Sequence, residues 1–188
     1  MKVSITGHTQ GIGFSLATLF ERKGFPVTGF SRANGYDISY PAIVDKILEE
    51  SSDATVFINN AYDEIGQQML LEKFITAWSG TDKIIVNISS KLGLIEPTAL
   101  GGLYDDYIQA KKKQNNLIRA NTFNSKPQIL NVITGLVDTE MAKDFNAKKI
   151  NPDDLANLIF DMIKYSGIIN VQEIVVDVPG IDYTNFRK

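Results

Sequence analysis

Six short apolar runs punctuate the chain, at residues 3–5, 27–30, 55–58, 84–88, 129–133 and 174–176. Each is too short for a helix and rich in Val and Ile, so each reads as a buried strand. The stretches between them show a different period. Residues 12–23 place Ile12, Leu16, Leu19 and Phe20 on one helical side. Residues 41–50 open on Pro41, which suits a first helical turn, and align Ile43, Val44 and Ile47. Residues 69–78, 107–120 and 152–165 repeat the pattern, the last with Asn151 as an N-cap. Strand alternating with helix predicts a parallel sheet wrapped on both faces, with a site at the C-terminal ends of its strands.

Composition narrows the chemistry. At 188 residues, one domain spanning 1–188 is expected. There is no cysteine, so disulfides and thiol catalysis are excluded. His8 is the only histidine, which leaves no histidine-based metal site, and no metal is expected. The net charge is −3 and the longest basic block is Lys111-Lys112-Lys113, so no nucleic-acid partner is expected. No signal peptide or membrane-spanning stretch is evident, which predicts a cytoplasmic protein with no membrane partner.

The first strand runs into Thr6-Gly7-His8-Thr9-Gln10-Gly11-Ile12-Gly13, and a helix follows. Glycines here permit a tight turn and close approach of backbone to a pyrophosphate at the helix N-terminus. The string resembles the Thr-Gly-x-x-x-Gly-x-Gly fingerprint of the short-chain dehydrogenase/reductase family. That resemblance implies a single Rossmann-type α/β domain, a doubly wound parallel sheet of about six strands with helices on both faces. It implies cofactor contacts from Gly7, Thr9, Gln10, Gly11, Ile12 and Gly13. His8 sits in a variable slot and reads as a solvated loop residue.

The adenosine ribose is usually read at the end of the second strand. Ser31 and Arg32 stand there, a hydroxyl and a fixed cation in place of an acid. They suit a 2′-phosphate, so NADPH/NADP is expected ahead of NAD. Asp37-Ile38 resembles the family's adenine-contacting pair, although Asp37 reads equally as a helix-entry residue before Pro41. The stretch between Arg32 and Asp37 has no room for the family's usual third strand, so the sheet is expected to be one strand short of seven. Asn59-Asn60-Ala61-Tyr62 resembles the family's Asn-Asn-Ala-Gly. Asn60 would tie strands together and Ala61 would let the cofactor pass. Tyr62, in place of glycine, either crowds the nicotinamide ribose or stands outside the pocket.

Tyr107 and Lys111 are four apart and share a helix face. An ammonium there would lower the tyrosine's pKa. Tyr-x-x-x-Lys alone is a cheap match, but residues 85–90 resemble the family's strand ending in the catalytic serine, Ser90. The resemblance implies Ser90, Tyr107 and Lys111 as catalytic residues. Two departures stand out. The interval from Ser90 to Tyr107 is longer than usual, with residues 100–103 read as a flexible bulge. Residues 69–78 carry no asparagine for the family's proton-relay water.

Thr134-Gly135-Leu136-Val137-Asp138-Thr139 resembles the family's carboxamide-binding Pro-Gly-x-Val-x-Thr, matching at Gly135, Val137 and Thr139. Residues 140–149 are few and polar, which predicts a shallow pocket and a small or polar substrate. The last strand, 173–178, would close the sheet edge. The leading expectation is an NADPH-dependent oxidoreductase acting on a small-molecule carbonyl or alcohol, as a homo-oligomer, dimer or tetramer. The alternative is a catalytically weak NADP(H)-binding sensor.

Overall fold

The computed structural model describes residues 1–102, 104–121, 123–124 and 126–180. Strands and helices alternate: β1 (Val3–Thr6), α1 (Gly11–Arg22), β2 (Val27–Phe30), α2 (Pro41–Glu50), β3 (Val56–Asn59), α3 (Gly66–Ala77), β4 (Ile84–Ser90), α4 (Asp105–Asn121), β5 (Gln128–Thr134), α5 (Pro152–Lys164) and β6 (Glu173–Val176). The strands form one six-stranded sheet in the order β2-β1-β3-β4-β5-β6, and every pairing is parallel. A short 3-10 turn, Arg32–Asn34, carries β2 into the approach to α2, so β2 is an edge strand. The expectation of six strands is met.

Successive strand residues point to opposite faces. Val3, Ile5, Val56, Ile58, Val86, Ile88, Leu130 and Val132 pack with α1 and α5. Phe57, Ile85 and Ile129 pack on the other side with α2, α3 and Ile118 of α4. Phe57 and Phe74 stack with centroids 3.5 Å apart. Fully burying one such side chain contributes about 1.5–3 kcal/mol. The two apolar faces explain why the strands read as continuous apolar runs.

Helix ends follow local chemistry. Asn151 Oδ1 accepts from Asp153 N at 2.8 Å, capping α5 as expected. Helix α3 starts three residues before the apolar period does. Gly66 permits this, because a Cβ there would lie 2.1 Å from Ile38 O, and Asp63 Oδ1 accepts from Ile65 N and Gly66 N. The shift buries Gln67 against Asn59 of β3 and Ile88 of β4. Gly101 and Gly102 take positive φ in the segment read as a bulge, and Leu103 lies outside the described residues. Among the described residues no helix is long and apolar enough to cross a membrane.

Candidate active site

Strand β1 lies between β2 and β3, so the chain reverses its direction of travel across the sheet there. The crevice beyond the strand ends at such a point is where open α/β sheets bind ligands. The glycine turn occupies it. Gly7 and Gly11 sit at φ +71° and +54°, a region that favours glycine. Gly13 leaves no space for a side chain, since a Cβ would lie 2.1 Å from Gly7 O. Asn60 closes the turn from β3: its Nδ2 donates to Thr6 O at 3.0 Å and Gly7 O at 3.3 Å. Thr6 Oγ1 accepts from Asn60 N and Ala61 N, both at 3.0 Å.

Helix α1 begins without a side-chain cap and without an acid in its first turn. Its leading N–H groups and positive dipole end therefore face the turn unneutralised, which suits an anion. Thr9 and Gln10 are exposed there, and Ile12 is partly buried. The segment after β5 leans on the same turn: a Cβ on Gly11 would lie 2.9 Å from Thr139 Cγ2. Gly135 N donates to Val176 O at 2.8 Å, and buried Val137 bridges to Ile150. Thr139 Oγ1 donates to Val137 O at 3.4 Å. Turn and strap therefore form two sides of one cradle, and its glycines and open helix end fit a dinucleotide pyrophosphate.

His8 departs from expectation. Its ring lies over Gly29 of β2, where any Cβ would come within 2.3 Å of it, and its Nδ1 is buried without a hydrogen-bond partner. It packs the turn onto the sheet rather than standing in solvent.

Beyond β2, Ser31 is buried and its Oγ donates to Asn34 Oδ1 at 3.1 Å. Arg32 beside it is exposed. Asp37 Oδ1 accepts from Ser39 N and Oγ at 3.1 and 2.9 Å, which holds its carboxyl below the usual range. Asp37 thus closes a turn ahead of α2, while the Ile38 side chain joins the core.

Ser90 ends β4, and its Oγ accepts from Leu92 N at 3.2 Å. Tyr107 and Lys111 project from one face of α4. Lys111 is 3% exposed, and its Nζ lies 5.7 Å from the Tyr107 ring centroid and 5.2 Å from that of Tyr62. The rings of Tyr62 and Tyr107 pack at 4.8 Å. Tyr62 therefore stands against Tyr107 and Lys111 while remaining 37% exposed. Tyr104 turns away, its ring 6.5 Å from that of Phe145.

The electrostatics reverse one expectation. The Tyr107 pKa is raised rather than lowered, although Lys111 Nζ lies 5.7 Å from its ring centroid. Burial pushes the Tyr107 phenol up to about 12, with Ser90 pulling it down by a hydrogen bond and Tyr62 adding a smaller upward push. Burial pulls Lys111 down to about 7. The phenol is thus held in its proton-bearing form.

Gln67 escaped the sequence reading. It is fully buried, and its Oε1 accepts from Lys111 Nζ at 2.7 Å. It lies two residues before Met69, where the apolar period of the helix begins.

No protein-family model matches the chain, and no curated protein matches it by sequence. Solved structures do. The 3-alpha-hydroxysteroid dehydrogenase of Pseudomonas sp. B-0831, complexed with NADH, is 20% identical with a TM-score of 0.76, covering 94% of this chain and 95% of its own. A short-chain dehydrogenase of Burkholderia cenocepacia J2315, in complex with NADP, is 19% identical with a TM-score of 0.75, covering 93% and 89%. A short-chain dehydrogenase/reductase of Vibrio parahaemolyticus is 16% identical with a TM-score of 0.78, covering 95% and 100%. The fold of this chain is the Rossmann-type fold of those enzymes.

Proposed function

We propose that this chain is a short-chain dehydrogenase/reductase that moves a hydride between NADP(H) and a small carbonyl or alcohol. The observation that carries the reading is the convergence of Ser90, Tyr107 and Lys111 beside an uncapped glycine turn at the sheet's reversal point. Similar structures bound to NADH and to NADP support a nicotinamide cofactor.

The residues that would hold the cofactor run along the strand ends. Gly7, Gly11, Gly13 and the α1 N-terminus would take the pyrophosphate. Arg32 would take the 2′-phosphate, because the Ser31 hydroxyl is already engaged by Asn34. Asn60 and Ala61 line the passage, and Gly135, Val137 and Thr139 would meet the carboxamide. The bound nicotinamide supplies or accepts the hydride.

The protein's share is proton handling. Ser90 Oγ would donate to the substrate oxygen and orient the carbonyl. Tyr107 would then transfer its proton to the forming alkoxide; a phenol held at about 12 is protonated across the physiological range, which suits carbonyl reduction. Lys111 would bind the nicotinamide ribose. Removing the phenol oxygen with Tyr107→Phe, assayed over a carbonyl panel with NADPH, tests the assignment.

One observation favours a second reading. Tyr62 stands over both Lys111 and Tyr107, an arrangement that would suit an NADP(H)-binding sensor with little turnover. Tight NADPH binding with no turnover over the same panel would select it.

A further inference from the structure

Lys111 carries three ammonium protons, and the protein takes two of them. Nζ donates to Gln67 Oε1 at 2.7 Å and to Ile88 O at 3.1 Å. The remaining direction faces the rings of Tyr62, which follows β3, and Tyr107 of α4. Those phenols are the titratable groups against the ammonium, and no carboxylate pairs with it among the described residues.

Gln67 cannot present its other face. Its Nε2 donates to Asn59 O and Ile88 O, both at 3.1 Å. Turning the amide over would set Oε1 against two carbonyl oxygens and the amide protons against an ammonium. The backbone of β3 and β4 thus dictates where Oε1 points. The helix is pinned as well: Asn59 Nδ2 donates to Gln67 O at 2.9 Å, and Gly66 fits against Ile38 O without room for a Cβ. Gln67 is 0% exposed, so neither partner of this contact competes with water.

We propose that Gln67 is the positioning residue for Lys111, fixing the ammonium so that its free proton is aimed at the face where Tyr62, Tyr107 and the substrate meet. A neutral amide sets direction without supplying the charge that would lock the lysine in its protonated form. The inference rests on the reading of Lys111 as a catalytic residue, and the contact itself stands independently of any cofactor.

The test follows Lys111 in the full chain without cofactor, by NMR titration of 13Cε-labelled lysine, with Lys111→Met giving the assignment. Removing an acceptor from an ammonium disfavours its charged form. Gln67→Met therefore lowers the Lys111 midpoint by about one pH unit or more, whereas Gln67→Glu, which needs a proton on the oxygen facing Asn59 O and Ile88 O, keeps the acceptor and returns the midpoint toward that of the unaltered protein. In the unaltered protein the Gln67 side-chain amide resonances shift with the same midpoint as Lys111. With NADPH and a carbonyl substrate, the pH profile of kcat in Gln67→Met moves down with the Lys111 midpoint while KM changes little. A purely structural role would lower the melting temperature of both variants and leave the Lys111 midpoint in place, and that result overturns the inference. Should Gln67→Met not fold, the amide resonances of the unaltered protein decide: a Gln67 amide that does not follow the Lys111 midpoint overturns the inference. If the unaltered protein binds no nicotinamide dinucleotide, the proposed function fails while the Lys111 titration still decides the role of Gln67.

Discussion

Asn87 Nδ2 donates to Asn131 Oδ1 at 3.1 Å, in the middle of a row of polar side chains that crosses four parallel strands, buried on the first three and half-buried on the last. Asn59, Asn87, Asn131 and Glu173 are register partners on β3, β4, β5 and β6. Asn59 Nδ2 donates to Asn87 Oδ1 at 3.1 Å, and Asn131 Nδ2 donates to Glu173 Oε2 at 3.2 Å and to Asn115 Oδ1 at 3.0 Å. Arg119 of α4 closes the row on Glu173 at 2.9 Å. Through Asn115 and Arg119 the row seats α4, the helix that carries Tyr107 and Lys111. Buried polar groups in contact with each other are costly to leave half-made.

Asn131→Leu strips partners from Asn87 and Glu173 at once. We expect it to cost about 2–3 kcal/mol of stability, measured by urea unfolding. The double substitution Asn87→Leu with Asn131→Leu should cost less than the sum of the two singles, because neighbouring sites couple. Additive losses would show that the row is not a unit.

Lys111 gives a pH signature. Its proton affinity is lower in the folded chain, about 7, than its ordinary 10.5. Between those values the unfolded chain binds more protons, so this residue's contribution to stability rises with pH across that window and is lost as pH falls through about 7. Lys111→Met should therefore stabilise the protein most at pH 6 and progressively less toward pH 10. Unfolding free energies of the two proteins across that range check the sign.

Arg32 is exposed beside a serine whose hydroxyl is already committed to Asn34. Arg32→Ala should weaken NADPH binding about tenfold or more while leaving NADH binding nearly unchanged, since a charge-assisted contact to phosphate is lost only for the former. Paired calorimetric titrations provide the comparison. Equal weakening of both cofactors would argue against a phosphate role.

Tyr107→Phe removes the proposed proton donor and its hydrogen bond with Ser90, and keeps the ring that packs on Tyr62. Turnover should fall by about two orders of magnitude or more, with NADPH affinity within a few-fold of the unaltered protein. Stopped-flow reduction of a carbonyl substrate reads the first quantity and calorimetry the second. Retained turnover would remove Tyr107 from the mechanism.

Much of this arrangement was legible in the chain. The strands were visible because both sheet faces are covered, making them apolar throughout. The glycine turn was visible because close backbone approach tolerates no other residue at Gly13. Residues whose role comes from partners distant in sequence were hidden. Asn59, Asn87 and Asn131 look like polar interruptions of apolar runs until register aligns them. Gln67 precedes the apolar period of α3, and its function depends on Lys111, 44 positions away. His8 is the mirror case: Gly29 makes room for its ring, a compensation that neither residue signals alone. The expected lowering of the tyrosine's pKa failed because burial pushes the phenol upward, and a four-residue spacing fixes a shared face, not how deeply the pair is buried.

We propose that the turn around Gly7, Gly11 and Gly13 cradles a nicotinamide dinucleotide, and isothermal titration of the unaltered protein with NADPH and with NADH is the experiment to do first. Saturable binding of one NADPH per chain, tighter than NADH, is expected. Heats indistinguishable from dilution for both cofactors would contradict it, leaving the glycine turn a packing device and the oxidoreductase reading without support.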